Sequence, residues 1–201
     1  MTAFGQLLVA RRMTRRFKPD ALPPGALERI LDAATRAPSP HNRQPWRFAI
    51  VSGPARVRLG QAMGDRLIAD LIADGVAVET ALADAARSRE RIATAPAAVL
   101  VCITMADLDL YPDPRRAAAE RWMAGQAAAA AAENMILQAS ELGIGACWMC
   151  APLFCPEAVR TALDLPADWE PQALIPFGYP AAPGRDRPRR PAAELSVFRD
   201  A

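Results

Sequence analysis

Ala37-Pro38-Ser39-Pro40-His41-Asn42-Arg43-Gln44-Pro45-Trp46 is the stretch on which the reading of this chain turns. It holds three prolines, the only histidine and four further hydrogen-bonding side chains in ten residues. A helical pattern precedes it. Pro23-Pro24 sets up a helix start, and Ala26, Leu27, Ile30, Leu31 and Ala34 keep helical spacing. A strand, Arg47-Phe48-Ala49-Ile50-Val51, follows it and ends at Ser52-Gly53-Pro54. Loops carry function when a rigid scaffold aims their polar groups. A proline-stiffened polar loop between two core elements is therefore the first candidate for ligand contact.

The rest of the chain reads outward from this loop. Thr2 to Arg12 is a short amphipathic helix, and Ala55 to Ala73 and Ala77 to Ile92 are two further helices. Ala97 to Ile103 is an unbroken apolar run, the pattern of a strand buried on both faces. Asp107 to Pro114 is turn-rich. Arg115 to Leu142 is one long helix, apolar almost all round, which predicts a central place or a subunit interface. After Gly143-Ile144-Gly145 come a strand from Ala146 to Met149, a short helix from Pro156 to Leu163 and a last core strand from Gln172 to Phe177. A proline- and arginine-rich arm from about residue 183 runs to Ala201, with Leu195 to Phe198 as a further strand. No repeat and no Gly/Ser linker divides the chain, so residues 1–201 form one domain. Helices and strands do not strictly alternate, which predicts an α+β layer rather than a doubly wound sheet.

Composition narrows the function. The chain has 201 residues, 52% of them hydrophobic and 23% charged, the balance of a globular domain. A net charge of +2 is too small to make nucleic acid or a membrane surface a general partner. The first ten residues lack a basic region followed by a long apolar run, and polar residues interrupt the alanine-rich run near Met123, so a cytoplasmic protein is expected. Lys18 is the only lysine. The arginines gather at Arg11-Arg12-Met13-Thr14-Arg15-Arg16 and at Arg185-Asp186-Arg187-Pro188-Arg189-Arg190, and two such clusters together suit a dianionic phosphate.

Several chemistries find no support. There is no G-x-S-x-G, no H-E-x-x-H and no second histidine. Gly143-Ile144-Gly145 lacks the third glycine of a dinucleotide fingerprint. Cys147-Trp148-Met149-Cys150 lies late in the chain, inside an apolar run, and the ligands for a zinc site are too few. Cys102, Cys147, Cys150 and Cys155 read as small apolar residues of a reduced core.

Taken in order, Arg11 to Phe17, Ala37 to Trp46, Leu142 to Trp148, Phe177-Gly178-Tyr179-Pro180 and Arg187 to Pro191 resemble the nitroreductase family over nearly the whole chain. The A-P-S-x-x-N-x-Q-P-W loop is the most specific part of that likeness. Asp65 to Asp70, Tyr111-Pro112-Asp113, Cys147-Trp148-Met149 with Phe154, and Leu165 to Pro171 resemble more narrowly the flavin domain of a deazaflavin-coenzyme biosynthesis protein. The resemblance implies an α+β fold with a central, mostly antiparallel sheet flanked by helices, and an intertwined homodimer binding FMN at its interface. It implies hydride transfer through the flavin N5. NAD(P)H or a reduced deazaflavin would be the donor. A small conjugated molecule, such as a dehydro precursor of a deazaflavin coenzyme, would be the acceptor. A flavin- or deazaflavin-binding module without turnover is the alternative. By matching positions, Arg11, Arg12, Arg15, Arg187 and Arg189 would hold the FMN phosphate. Ser39, Pro40, His41 and Asn42 would approach the flavin from the partner subunit, with His41 touching substrate, while Gln44 and Trp46 support the loop. Met149, Cys150 and Ala151 would offer backbone N–H groups to the ring edge. Met13 stands where the family usually has a phosphate-binding serine.

Overall fold

The computed structural model describes residues 1–199. Its core is a four-stranded antiparallel sheet. In chain order the elements are α1 (Ala3–Ala10), α2 (Ala26–Thr35), β1 (Trp46–Val51), α3 (Gly53–Ala73), α4 (Val78–Thr94), β2 (Ala97–Ile103), α5 (Pro114–Glu141), β3 (Gly145–Ala146), α6 (Pro156–Leu163) and β4 (Glu170–Gly178). The strands lie in the order β1-β2-β4-β3. Trp46 pairs with Ile103 and Val51 with Ala98, while Ala97 pairs with Phe177 across to β4.

Every residue of β2 is buried, as its unbroken apolar run predicts. Its side chains alternate between two cores. Val99, Val101 and Ile103 pack with Ile30 and Ala34 of α2 and with Ala131, Met135 and Ile136 of α5. Ala98, Leu100 and Cys102 pack with Leu59 and Met63 of α3, Ile92 of α4 and Val159 of α6. The molecule is thus a sheet covered on both faces. Among the described residues no helix is long and apolar enough to cross a membrane.

Two expectations need correction. The strand expected from Ala146 to Met149 is only Gly145–Ala146 as a regular ladder. Its pairing with β4 continues in register, with Cys147 N–H donating to the Pro176 carbonyl and Met149 bridging Leu174. Pro176 has no N–H to return, and the ladder breaks there. Leu195 to Phe198 form no strand, and Phe198 stands 86% exposed. The β3 edge is taken by the N-terminal segment through the Met13–Ala146 bridge, and these residues do not reach the outer edge of β1, which pairs only with β2 among the described residues. The long helix α5, expected at the centre or at a subunit interface, divides into two parts. Its C-terminal two thirds pack on the sheet, whereas Pro114 to Ala119 are exposed and Trp122 is 72% exposed.

Candidate functional site

The arginine segment is built onto the sheet edge. Thr14 N–H donates to the Ala146 carbonyl at 2.8 Å, and Lys18 N–H to the Tyr179 carbonyl at 2.8 Å. Ala181 N–H, just past β4, returns a bond to the Arg16 carbonyl at 3.0 Å. These bonds set the N-terminal segment beside the start of the C-terminal arm, so two clusters at opposite ends of the sequence share one wall. Between them lies a cavity of 610 Å³ lined by seven arginines (Arg11, Arg12, Arg15, Arg16, Arg185, Arg187 and Arg189) and a single carboxylate, Asp186. Gly184 is required there, because a Cβ on it would lie 2.4 Å from Arg12 Cβ. The expected phosphate ligands Arg11, Arg12, Arg15, Arg187 and Arg189 all line this cavity. Arg16, Arg185 and Thr14 line it too and were missed. Their adjacency to the named arginines was the available signal.

The internal ion pairs do not satisfy this charge. Arg12 meets Asp186 at 3.1 Å, and Arg11 lies 3.7 Å from Glu133. Arg11 Nη1 is buried without a hydrogen-bond partner. A buried donor left unmade costs about 1–3 kcal/mol, more when charged. The cavity therefore suits an anion with several acceptor oxygens, and the phosphate of a nucleotide cofactor fits it.

The second group of candidates lies on the loop from Ala37 to Trp46, between α2 and β1. Pro40–Asn42 form a short 3-10 turn. His41, Asn42 and Gln44 take positive φ values of 47°, 56° and 50°. Non-glycine residues in this region cost roughly 1–2 kcal/mol each, less for asparagine. Such strain persists where surrounding contacts over-determine it, and it concentrates at ligand sites. Ser39 Oγ accepts the Gln44 N–H at 3.0 Å and still has its own hydroxyl proton to donate. Pro45 and Trp46 are buried behind the loop, while His41, Asn42, Arg43 and Gln44 face outward. Gln44 closes the loop through its N–H bond to Ser39 and through Nε2, which donates to the Asn42 carbonyl at 3.3 Å.

The third group follows β3. Met149 is buried and its N–H is committed to the Leu174 carbonyl at 3.0 Å, so it has none to offer a ligand. Cys150 and Ala151 start the 3-10 turn Ala151–Phe154, and their N–H groups have no backbone partner among the described residues. Cys150 is exposed, which corrects its reading as a core residue; Cys102, Cys147 and Cys155 are buried. Burial pushes the Cys102 thiol up to about 12. It also raises Cys147, although Arg91 and Arg15 oppose the shift, and it raises Cys155. These three thiols stay protonated near neutral pH, unlike the thiolate of a reactive pair.

Cys150 also lines an apolar cavity of 580 Å³ between α5 and the sheet, with Trp122, Gln126, Trp148 and Gln172 at its walls. Sequence reasoning missed this cavity. Trp122, a lone tryptophan in an alanine-rich helix, was its one trace. Within a single chain the three groups do not meet in one cavity. The arginines line one, Cys150 lines another, and Ser39 to Asn42 line neither.

A sequence model described as the nitroreductase family matches residues 8–179. An NADH dehydrogenase of Thermus thermophilus is 32% identical, over 94% of this chain and 92% of its own length. A protein from Desulfovibrio desulfuricans, solved in complex with FMN, is 26% identical and superposes with a TM-score of 0.75 over 100% of this chain and 99% of that one. A nitroreductase-like family protein from Bacillus cereus, 22% identical, shares the fold with a TM-score of 0.78 over 100% and 98% of the two chains.

Proposed function

From the premise that the chain belongs to the nitroreductase family, we propose that it is an FMN-dependent oxidoreductase working as a homodimer. The observation that carries this reading is the cavity where seven arginines face one carboxylate, with Arg11 Nη1 buried and unpartnered. FMN, when bound, supplies a reducible ring that relays hydride between a donor and an acceptor.

The chain's own residues supply position and electrostatics. Arg11, Arg12 and Arg15 hold the phosphate from the sheet edge, and Arg187 and Arg189 close on it from the arm. Such charge-assisted bonds are roughly twice as strong as neutral ones. The free N–H groups of Cys150 and Ala151 face the ring edge, with Met149 locking that segment to β4. Ser39, Pro40, His41 and Asn42 act on the flavin of the partner subunit, His41 nearest the substrate. The homodimer is supported by Ser39 to Asn42 lining neither cavity of their own chain and by the exposed N-terminal part of α5 around Trp122.

For the substrates, NAD(P)H or a reduced deazaflavin serves as donor. The acceptor is a small conjugated molecule, with a dehydro precursor of a deazaflavin coenzyme as the first candidate. Asp65 to Asp70, Tyr111 to Asp113 and Leu165 to Pro171 are the segments that support this choice. One observation favours the alternative of a non-catalytic flavin binder. The proposed site residues include no clear acid or base besides His41. Anaerobic mixing of the FMN-loaded protein with NADH, NADPH and reduced deazaflavin separates the two. Bleaching of the oxidised flavin at catalytic rates by one donor is expected. An unchanged spectrum with all three would favour the inert binder.

A further inference from the structure

We infer that Asp107 and Asp109, on the segment between β2 and α5, are positioning residues for the Ser39–Gln44 loop, acting through Arg47 and Arg43. This rests on the reading that the loop contacts the flavin. Arg43 Nη2 donates to Asp109 Oδ1 at 2.7 Å, and Arg47 Nη2 donates to Asp107 Oδ2 at 2.9 Å. Arg47 Nη1 also donates to the Gln44 carbonyl at 3.2 Å and the Trp46 carbonyl at 2.9 Å. One guanidinium therefore ties the end of the strained loop to a carboxylate far along the chain. A third tie joins the same two segments, from Thr104 N–H to the Pro45 carbonyl at 2.9 Å.

The loop needs such ties. Three of the four residues from His41 to Gln44 are left-handed, and none of them is glycine. Local preference opposes this conformation, so contacts from outside the loop must hold it. The segment that supplies the carboxylates is itself anchored. Asp113 caps α5 by accepting the Arg116 N–H at 2.9 Å, and the Arg116 guanidinium lies 5.0 Å from the centre of the Tyr111 ring. Asp107 and Asp109 thus project from a base fixed at both ends, β2 and α5. The pairs are partly exposed, with side-chain exposures of 44% and 37% for Arg43–Asp109 and 32% and 62% for Arg47–Asp107. Exposed ion pairs add little to global stability. Their effect falls on the conformation of one loop, and so on how long the flavin stays.

The test compares FMN affinity with stability. In the double variant Asp107→Asn with Asp109→Asn, FMN binding followed by flavin fluorescence should weaken about tenfold. The melting temperature of the FMN-free protein should stay within about 3 °C. Arg43→Asp alone should weaken binding, and adding Asp109→Arg should recover most of the loss. Dissociation constants within twofold of wild type would overturn the inference, as would a charge swap no better than Arg43→Asp alone. A fall in melting temperature of about 10 °C would overturn it too, by making the acids structural. A wild-type protein that takes up no FMN would instead overturn the flavin reading beneath it.

Discussion

Gly145→Ala should damage the phosphate site from behind. Gly145 opens β3, and its φ is not in the left-handed region, so alanine meets no backbone penalty there. The obstacle is steric. A Cβ on Gly145 would lie 2.3 Å from Thr14 Oγ1, 2.7 Å from Thr14 Cβ and 2.9 Å from Thr14 Cγ2. No rotamer moves the Thr14 Cβ, and the residue is 7% exposed with its N–H bonded to the Ala146 carbonyl. The N-terminal segment itself must shift. Overpacking of this kind costs about 1–3 kcal/mol, or roughly 5 °C in melting temperature for a chain of this size. Arg11, Arg12 and Arg15 ride on the displaced segment. Loss of one charge-assisted bond, about 1.5–3 kcal/mol, weakens FMN about tenfold to a hundredfold. Gly143→Ala is the control. Its φ is +71° and nothing lies within 4 Å of the added methyl. It should lose about 1 kcal/mol of stability to backbone strain and keep FMN affinity within twofold. Fluorescence titration and thermal melting of both variants decide the matter. Wild-type FMN affinity in Gly145→Ala, or equal losses in the two variants, would refute the reasoning.

Two further outcomes are expected. Arg11→Gln removes the guanidinium with the unpartnered buried nitrogen, and should weaken FMN tenfold or more in equilibrium dialysis; unchanged retention would remove Arg11 from the phosphate site. Cys102 links stability to alkaline pH. Its thiol is held up to about 12 in the folded chain against an ordinary 9.0, so both states are protonated below pH 9. Between 9 and 12 the unfolded chain ionises first and stability falls as pH rises, by up to about 1.4 kcal/mol per pH unit. Urea unfolding of wild type and Cys102→Ala should show a stability gap that narrows above pH 9, and a constant gap would contradict the assignment.

What the sequence discloses follows from the range of the interactions involved. The apolar run of β2 and the spacing of Ala26, Ile30 and Ala34 in α2 are local patterns, and their elements form where those patterns lie. The polar loop from Ala37 to Trp46 was visible for its composition, but not its three left-handed residues, which contain no glycine to announce them. Pro176 shortens β3 from the opposite strand, thirty residues on, where no local signal reaches. The two arginine clusters were legible as charge, and their meeting required the pairing of Met13 with Ala146 and of Phe17 with Pro180. Leu195 to Phe198 carry a strand pattern but lie exposed, with no ladder partner among the described residues. The exposed Cys150 illustrates the same point, because the chain turns outward there after Met149 returns to β4.

The central claim is that the arginine-lined cavity holds the phosphate of FMN. Parallel titrations of the purified protein with FMN and riboflavin, which differ only in that phosphate, address it most directly. The account predicts FMN at least a hundredfold tighter, about 2.7 kcal/mol or two charge-assisted bonds, with the difference shrinking in Arg11→Gln. Equal affinity for the two flavins would contradict it.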